Sequence, residues 1–289
     1  MEIPSAKPTI LLPLDFSPFT PAAIAHACNY AQTLETTITL VHFLDKSLIG
    51  KENEIAIERE KAISKLENFA EGIFAEHGIK CYATVRVGDF HAGIGDLANE
   101  VKAGLVVMAT KGIHGMQRWT GSNAIKVILH GKQIPFVVVQ DLPKNDKPEQ
   151  VILPFSFEVE SRQKLGRVPE LAKLFDCVFH IVSEPAGDEF IRHKIENNVM
   201  YAKRFLEDHD CKYTASHTPK KKAFHKELID FAAAKSADLI LIMSEEDHDF
   251  LEIFTGSHEQ EIIANEAKIP VMVLNAKETM RLNGAPMFF

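Results

Sequence analysis

One segment of the chain occurs twice, and that repetition limits the fold more than any other feature. From Leu105 to Val139 the sequence runs through an apolar stretch, a loop with Gly112 and Gly115, Gly121-Ser122, an apolar-periodic helix, and a second apolar stretch after Pro135. From Ile240 to Leu274 the same order returns: apolar stretch, loop, Thr255-Gly256-Ser257, helix, then Pro270 and an apolar stretch. In the second copy the glycine loop is replaced by acids, Glu245, Glu246, Asp247 and Asp249. Strand, loop, helix, strand is the order in which α/β proteins hold phosphates at a helix N-terminus.

The repetition extends to the whole chain. Thr9–Leu14 reads as a short apolar strand, followed by a helix signalled by Ser17 and Pro18. Thr37–Leu44 reads as a buried strand, 52–76 as an amphipathic helix stopped by Gly78, 79–87 as a strand broken by Gly88, and 91–101 as a helix. After a polar, proline-containing stretch the pattern restarts. VILPFSFEVE leads to a helix ending near Leu174, then come CVFHIV, a helix over 188–209, KYTASH, a helix over 222–235, and the second copy. Five strands and four helices recur in one order, so the chain predicts an α/β fold of two tandem domains. Each is an open five-stranded parallel sheet with helices on both faces, because βαβ crossovers are right-handed. The expected boundaries are 1–141, a linker at 142–150, 151–275, and a tail at 276–289.

Composition narrows the function. With 289 residues and 46% hydrophobic content the chain can bury a sizeable core. A net charge of −8 argues against nonspecific nucleic-acid binding, which needs clustered Lys and Arg. No window suits a membrane span, and the N-terminal segment lacks a basic region and cleavage site, so a cytoplasmic location is expected. Cys28, Cys81, Cys177 and Cys211 are widely spaced and read as small buried hydrophobes. Asp247, His248, Asp249 and His258 have metal-ligand side chains but no established spacing, and a solvated acidic loop is the simpler reading. Lys220–Lys222 reads as a solvated helix start. No nucleophile elbow, Ser-His-Asp ordering or P-loop lysine signature appears, so catalysis has no visible machinery.

The segments ILLPLDFSP, VHFLD, VRVGD and VVMATKG…TGSNAIKVI…IPFVVV together resemble the universal stress protein family, over about 1–141 and more weakly 149–275. The resemblance implies a five-stranded parallel sheet of the adenine-nucleotide α-hydrolase-like kind. It also implies a pseudo-dimer within one chain, since family members often pair through their last strands; whether two such chains pair further stays open. Many members bind ATP through Gly, two residues, Gly, nine residues, Gly and a small polar residue. Carried over, the motif falls on Ala109, Gly112, Gly121 and Ser122, with further contacts at Pro13, Asp15, Phe43, Met108 and Asn123. Ala109 stands where the family has glycine, and eight residues rather than nine separate Gly112 from Gly121.

The residues themselves support two readings of this site. Glycine-loop N–H groups and a helix N-terminus favour a phosphate, while Ser122 serves equally as a helix N-cap. Asp15 lies where it would accept a hydrogen bond from adenine or ribose, or cap the helix after Ser17; Phe43 would flank adenine or fill the core. In the second half Ser156 stands opposite Asp15 and an acid opposite Gly112, so no family-type nucleotide site is expected there. The expectation is a regulatory protein binding ATP, with Mg only as its companion, in the first half. The alternatives are a scaffold without nucleotide and, behind it, a weak ATPase.

Overall fold

The computed structural model describes residues 8–110, 134–184, 186–219, 223–244 and 261–275. Ten strands form one sheet: β1 (Thr9–Pro13), β2 (Ile38–Leu44), β3 (Cys81–Val87), β4 (Ala103–Ala109) and β5 (Phe136–Val139) from the first half. The second half supplies β6 (Gln150–Phe155), β7 (Val178–Ser183), β8 (Tyr213–His217), β9 (Leu239–Ser244) and β10 (Val271–Asn275). The strand order is β3-β2-β1-β4-β5-β10-β9-β6-β7-β8, so each half repeats one order and the two meet at β5 and β10. Neighbours are parallel within each half. At the seam Val137 lies opposite Met272 and Phe136 opposite Val273 in antiparallel register. This is the fold class expected from the sequence.

Both faces are covered, which explains why the strands read as unbroken apolar runs. On one face Ile10, Leu12, Leu153 and Phe155 pack against α1 (Thr20–Leu34), α2 (Glu52–His77), α4 (Val168–Phe175) and α5 (Glu189–Asp208). Leu11, Val41 and Ile152 point the other way, toward α3 (Phe90–Glu100) and α6 (Phe224–Ala234). Helix ends follow local chemistry. Gly78 closes α2 at φ 68°, Asp89 caps α3 through His91 and Ala92, and Asp188 caps α5 through Ile191.

Two local expectations need correction. Helix α1 starts at Thr20 with Phe19 at its cap. Ser17 and Asp15 belong to the turn before it: Ser17 N–H donates to Asp15 Oδ1 at 3.0 Å, and Phe19 N–H to Ser17 Oγ at 3.3 Å. The helix expected to end near Leu174 is split into a 3₁₀ segment (Val159–Arg167) and α4. Pro169 has no N–H to donate and its ring crowds the carbonyl one turn back, so it is accommodated only in the first turn of α4 and an α-helix does not run through it.

The stretch between the halves is bonded to both of them. His26 Nε2–H donates to the Asp141 carbonyl (3.1 Å), Lys268 reaches Asp141 Oδ2 (2.8 Å), and Asn145 Nδ2 donates to Asp238 Oδ1 (2.8 Å). Asp238 Oδ2 also accepts the Glu149 and Gln150 N–H groups, at 3.0 and 2.9 Å. Beside it, Gln140 donates across the seam to the Asn265 carbonyl (3.0 Å), and the Asn265 side chain is closed on Ile262 and Ile269. Cys28, Cys177 and Cys211 are buried free thiols, and burial pushes Cys177 up to about 12, so they behave as apolar packing. No described helix is long and apolar enough to cross a membrane. The tail from 276 onward and Lys220–Lys222 lie outside the described residues.

Phe136 is fully buried at the seam, so Phe136→Ala should cost about 3–5 kcal/mol in a denaturant titration. Burial pushes the His26 imidazole down to about 4 from its ordinary 6.5, outweighing the opposite influence of the Asp141 carbonyl. The unfolded imidazole therefore takes up its proton first. Stability from this group is complete above about pH 6.5 and is lost as pH falls toward 4, by up to about 3 kcal/mol. Urea melts of wild type and His26→Gln across that window should show a flatter pH dependence in the variant.

Candidate functional site

The carboxyl ends of β1, β2 and β3 open into a cleft of about 570 Å³. Each wall begins where a strand stops. After β1 the chain turns through Leu14 and Asp15 into Phe16, whose φ of 59° is left-handed and costs about 1–2 kcal/mol for a residue with a Cβ. Aromatic packing offsets that strain. The Phe16 ring stacks on His42 (centroids 4.3 Å apart, 21°), Lys65 Nζ lies 5.0 Å above it, and His42 Nδ1–H donates to the Leu14 carbonyl at 2.7 Å. Asp15 is held by the same turn. Its Oδ1 is spent on Ser17, and its other oxygen has no partner among the described residues.

Strand β2 delivers Phe43 and then Asp45, which caps a short 3₁₀ turn by accepting the Ser47 N–H at 2.9 Å. Phe43 is 9% exposed, lines the cleft and meets Phe90 edge to face (5.3 Å, 80°). Its position depends on Gly93 of α3, where an added Cβ would stand 2.8 Å from the Phe43 ring. Strand β3 ends at Gly88, whose φ of 137° is a conformation side chains rarely tolerate, and Asp89 comes next. Desolvation works against the Asp89 charge. The Ala92 and His91 N–H bonds, with the charges of His91 and Lys46, nonetheless hold its carboxyl below the usual range. Lys46 Nζ lies 3.7 Å from Asp89, joining the ends of β2 and β3 across the mouth.

Of the expected site residues, Asp15 and Phe43 line this cleft. Pro13, Met108 and Ala109 are buried at the ends of β1 and β4 and do not line this cleft. The Ala109 methyl belongs to the core cluster on the α1 face, and the Met108 side chain to the cluster on the opposite face. Gly112, Gly121, Ser122 and Asn123 lie outside the described residues, as do the acids at 245–249, Gly256 and His258. Phe16, His42, Lys46 and His91 line the cleft without having been expected from the sequence. Gly88-Asp89 was legible as part of a motif but had no assigned place in the site. Among the described residues no cluster of His, Cys, Asp or Glu is arranged to hold a metal.

At the corresponding edge of the second half, backbone groups at the end of β6 are bonded to side chains of the protein itself. Ser156 replaces Asp15, and its hydroxyl accepts the Glu158 N–H at 3.2 Å. Asn198 on α5, 1% exposed, donates at 2.8 Å to both the Ser156 and Glu158 carbonyls and accepts from Arg162 Nε at 2.6 Å. Lys164, 3% exposed, bonds the Pro154 carbonyl at the end of β6. Between β6 and α4 the chain carries the 3₁₀ segment, which has no counterpart between β1 and α1 and brings Arg162 and Lys164 to that edge.

Comparison with known proteins agrees with this architecture. Residues 8–140 match the model of the universal stress protein family. A universal stress protein of Synechocystis sp. is 26% identical over 132 residues, covering 45% of this chain and 84% of its own length. A universal stress protein of Archaeoglobus fulgidus DSM 4304 superposes with a TM-score of 0.68 at 17% identity, over 92% of this chain and 96% of that one. A Pseudomonas aeruginosa PAO1 protein of unknown function gives 0.60 at 13% identity, over 96% of each chain. The first half of the chain therefore belongs to the universal stress protein family, and the second half repeats its fold within the same sheet.

Proposed function

We propose that the first half binds an adenine nucleotide, ATP with Mg as its companion, in the cleft at the ends of β1 to β4. The observation that carries this reading is the unspent oxygen of Asp15, fixed by its own turn and facing a cleft beside Phe43. A carboxylate oxygen left open there is suited to accept from the adenine amino group or a ribose hydroxyl, while Phe43 and Phe90 supply apolar walls for the base. The backbone at Met108 and Ala109 leads into Lys111, Gly112 and Gly121-Ser122, whose N–H groups and helix start would take the phosphates. Ala109 is not among the residues that line the cleft, so its methyl leaves that space open. In this reading binding acts by stabilising one state of the protein and its contacts, in a cytoplasmic regulatory role. The halves act as a nucleotide-binding domain and a degenerate partner, because Asn198 and Lys164 already occupy the second edge.

Mg-ATP at a hundredfold excess over its Kd should stabilise the wild-type chain by about 2.7 kcal/mol, read as a raised melting temperature. Asp15→Ala should remove most of that shift while leaving the unliganded melt nearly unchanged; an equal shift in both proteins would sink the assignment. Gly93→Ala, whose added Cβ would stand 2.8 Å from the Phe43 ring and force it to shift, should weaken ATP binding about tenfold in calorimetry. Calorimetric stoichiometry should be one nucleotide per chain, and two would show that the second edge binds as well.

A further inference from the structure

The segment joining the halves roofs a second cavity, of about 190 Å³, that shares no lining residue with the cleft. Its floor is one stripe of α1, where His26, Tyr30 and Thr33 recur at helical spacing. Phe175 and Pro270 of the second half form walls, and residues 141–148 close it from above. Tyr30 and Phe175 meet edge to face across it, with centroids 5.9 Å apart at 70°.

The polar groups around this space are almost all committed. His26 Nε2 is given to the Asp141 carbonyl, Lys268 to the Asp141 carboxylate, and the Asn29 amide to the Asn145 carbonyl. Asp238 accepts from Asn145, Glu149 and Gln150. Lys144, Asp146 and Lys147 also line the cavity and are themselves exposed to solvent. Tyr30 differs from all of these. It is 4% exposed, it lines the cavity, and its hydroxyl has no hydrogen-bond partner among the described residues. Burial, and then the Asp238 charge, push its ionisation far above the ordinary range, so the hydroxyl remains a donor. An acceptor atom bound in the cavity would give this hydroxyl a protein-held partner in place of water.

We propose that this seam cavity is a binding site for a small uncharged heteroaromatic molecule whose acceptor atom takes the Tyr30 hydroxyl hydrogen bond. The size follows from volume, since a cavity near 150 Å³ accommodates benzene and this one is somewhat larger, fitting one or two rings. The aromatic character follows from Tyr30, Phe175 and Pro270. The lack of charge follows from the pairing of Asp141 with Lys268, the commitment of Asp238 to Asn145, Glu149 and Gln150, and the solvation of the exposed Lys144, Asp146 and Lys147. Because the walls come from α1, the joining segment and the second half, the occupied site would clamp the two halves together.

The test uses the full chain with two probes, quinoline (ring acceptor, no donor) and naphthalene (the same two rings, neither donor nor acceptor), titrated by ligand-observed NMR. Quinoline should bind more tightly than naphthalene by about fivefold, the equivalent of one hydrogen bond. Tyr30→Phe keeps the ring packing and should erase that preference. Thr33→Phe, which fills the cavity from the helix, should abolish binding of both probes, and saturating Mg-ATP should leave it unchanged. Absence of quinoline binding to the wild type, equal affinity for the two probes, an unaltered preference in Tyr30→Phe, unaltered binding in Thr33→Phe, or displacement by Mg-ATP would each overturn the proposal. Thermal melts of both variants establish that the fold is retained.

Discussion

The pairing of β5 with β10 sets the conditions under which every other part of this molecule is built. Phe136, Val137 and Val138 face Val273, Met272 and Val271 across an antiparallel ladder in the middle of an otherwise parallel ten-stranded sheet. An unpaired β5 would leave a buried-type apolar strand with open backbone groups at a sheet edge, a site prone to association. Joining it to β10 satisfies those groups within one chain. The direction of the pairing matters as much as its existence. Since β5 and β10 run oppositely, the carboxyl ends of the strands in the two halves point to opposite ends of the sheet.

That geometry separates two demands that the sequence presents as one motif. The apolar runs before and after the repeated Thr-Gly-Ser are needed in both halves, because they supply β4, β5, β9 and β10. Asp15 is present in only one half. The turn that holds it requires a left-handed Phe16 and a His42–Phe16 stack, and in the second half the same position is occupied by Ser156 under Asn198 and Lys164. The duplicated parts thus specify the sheet, while the parts that differ determine which edge stays open.

Much of the fold was legible from residue order. Period, punctuation by Gly78 and Gly88, and repetition of strands and helices give the α/β class and its doubling, since those depend on local chemistry. Asp15 and Phe43 were also legible, because they end apolar strands where open sheets present their ligands. The rest depended on long-range contacts. Nothing local marks Phe16 for a positive φ; its stack on His42 and the Lys65 ammonium appear only once β2 and α2 pack beside β1. The helix expected through Pro169 is broken by backbone chemistry that the apolar pattern concealed. Tyr30 reads as an ordinary core aromatic until Phe175, 145 positions later, is brought against it.

The seam between β5 and β10 also changes how substitutions act. In an assembly of two identical subunits every substitution occurs twice, so a lysine that closed one edge would close the other as well. Here the two edges are encoded separately. Lys164 and Asn198 seal one end of the sheet without altering the turn that carries Asp15 at the other. Covalent duplication therefore frees each half from the other's constraints while the ladder still makes them one structural body, and one edge can be given over to internal bonding while the other stays open.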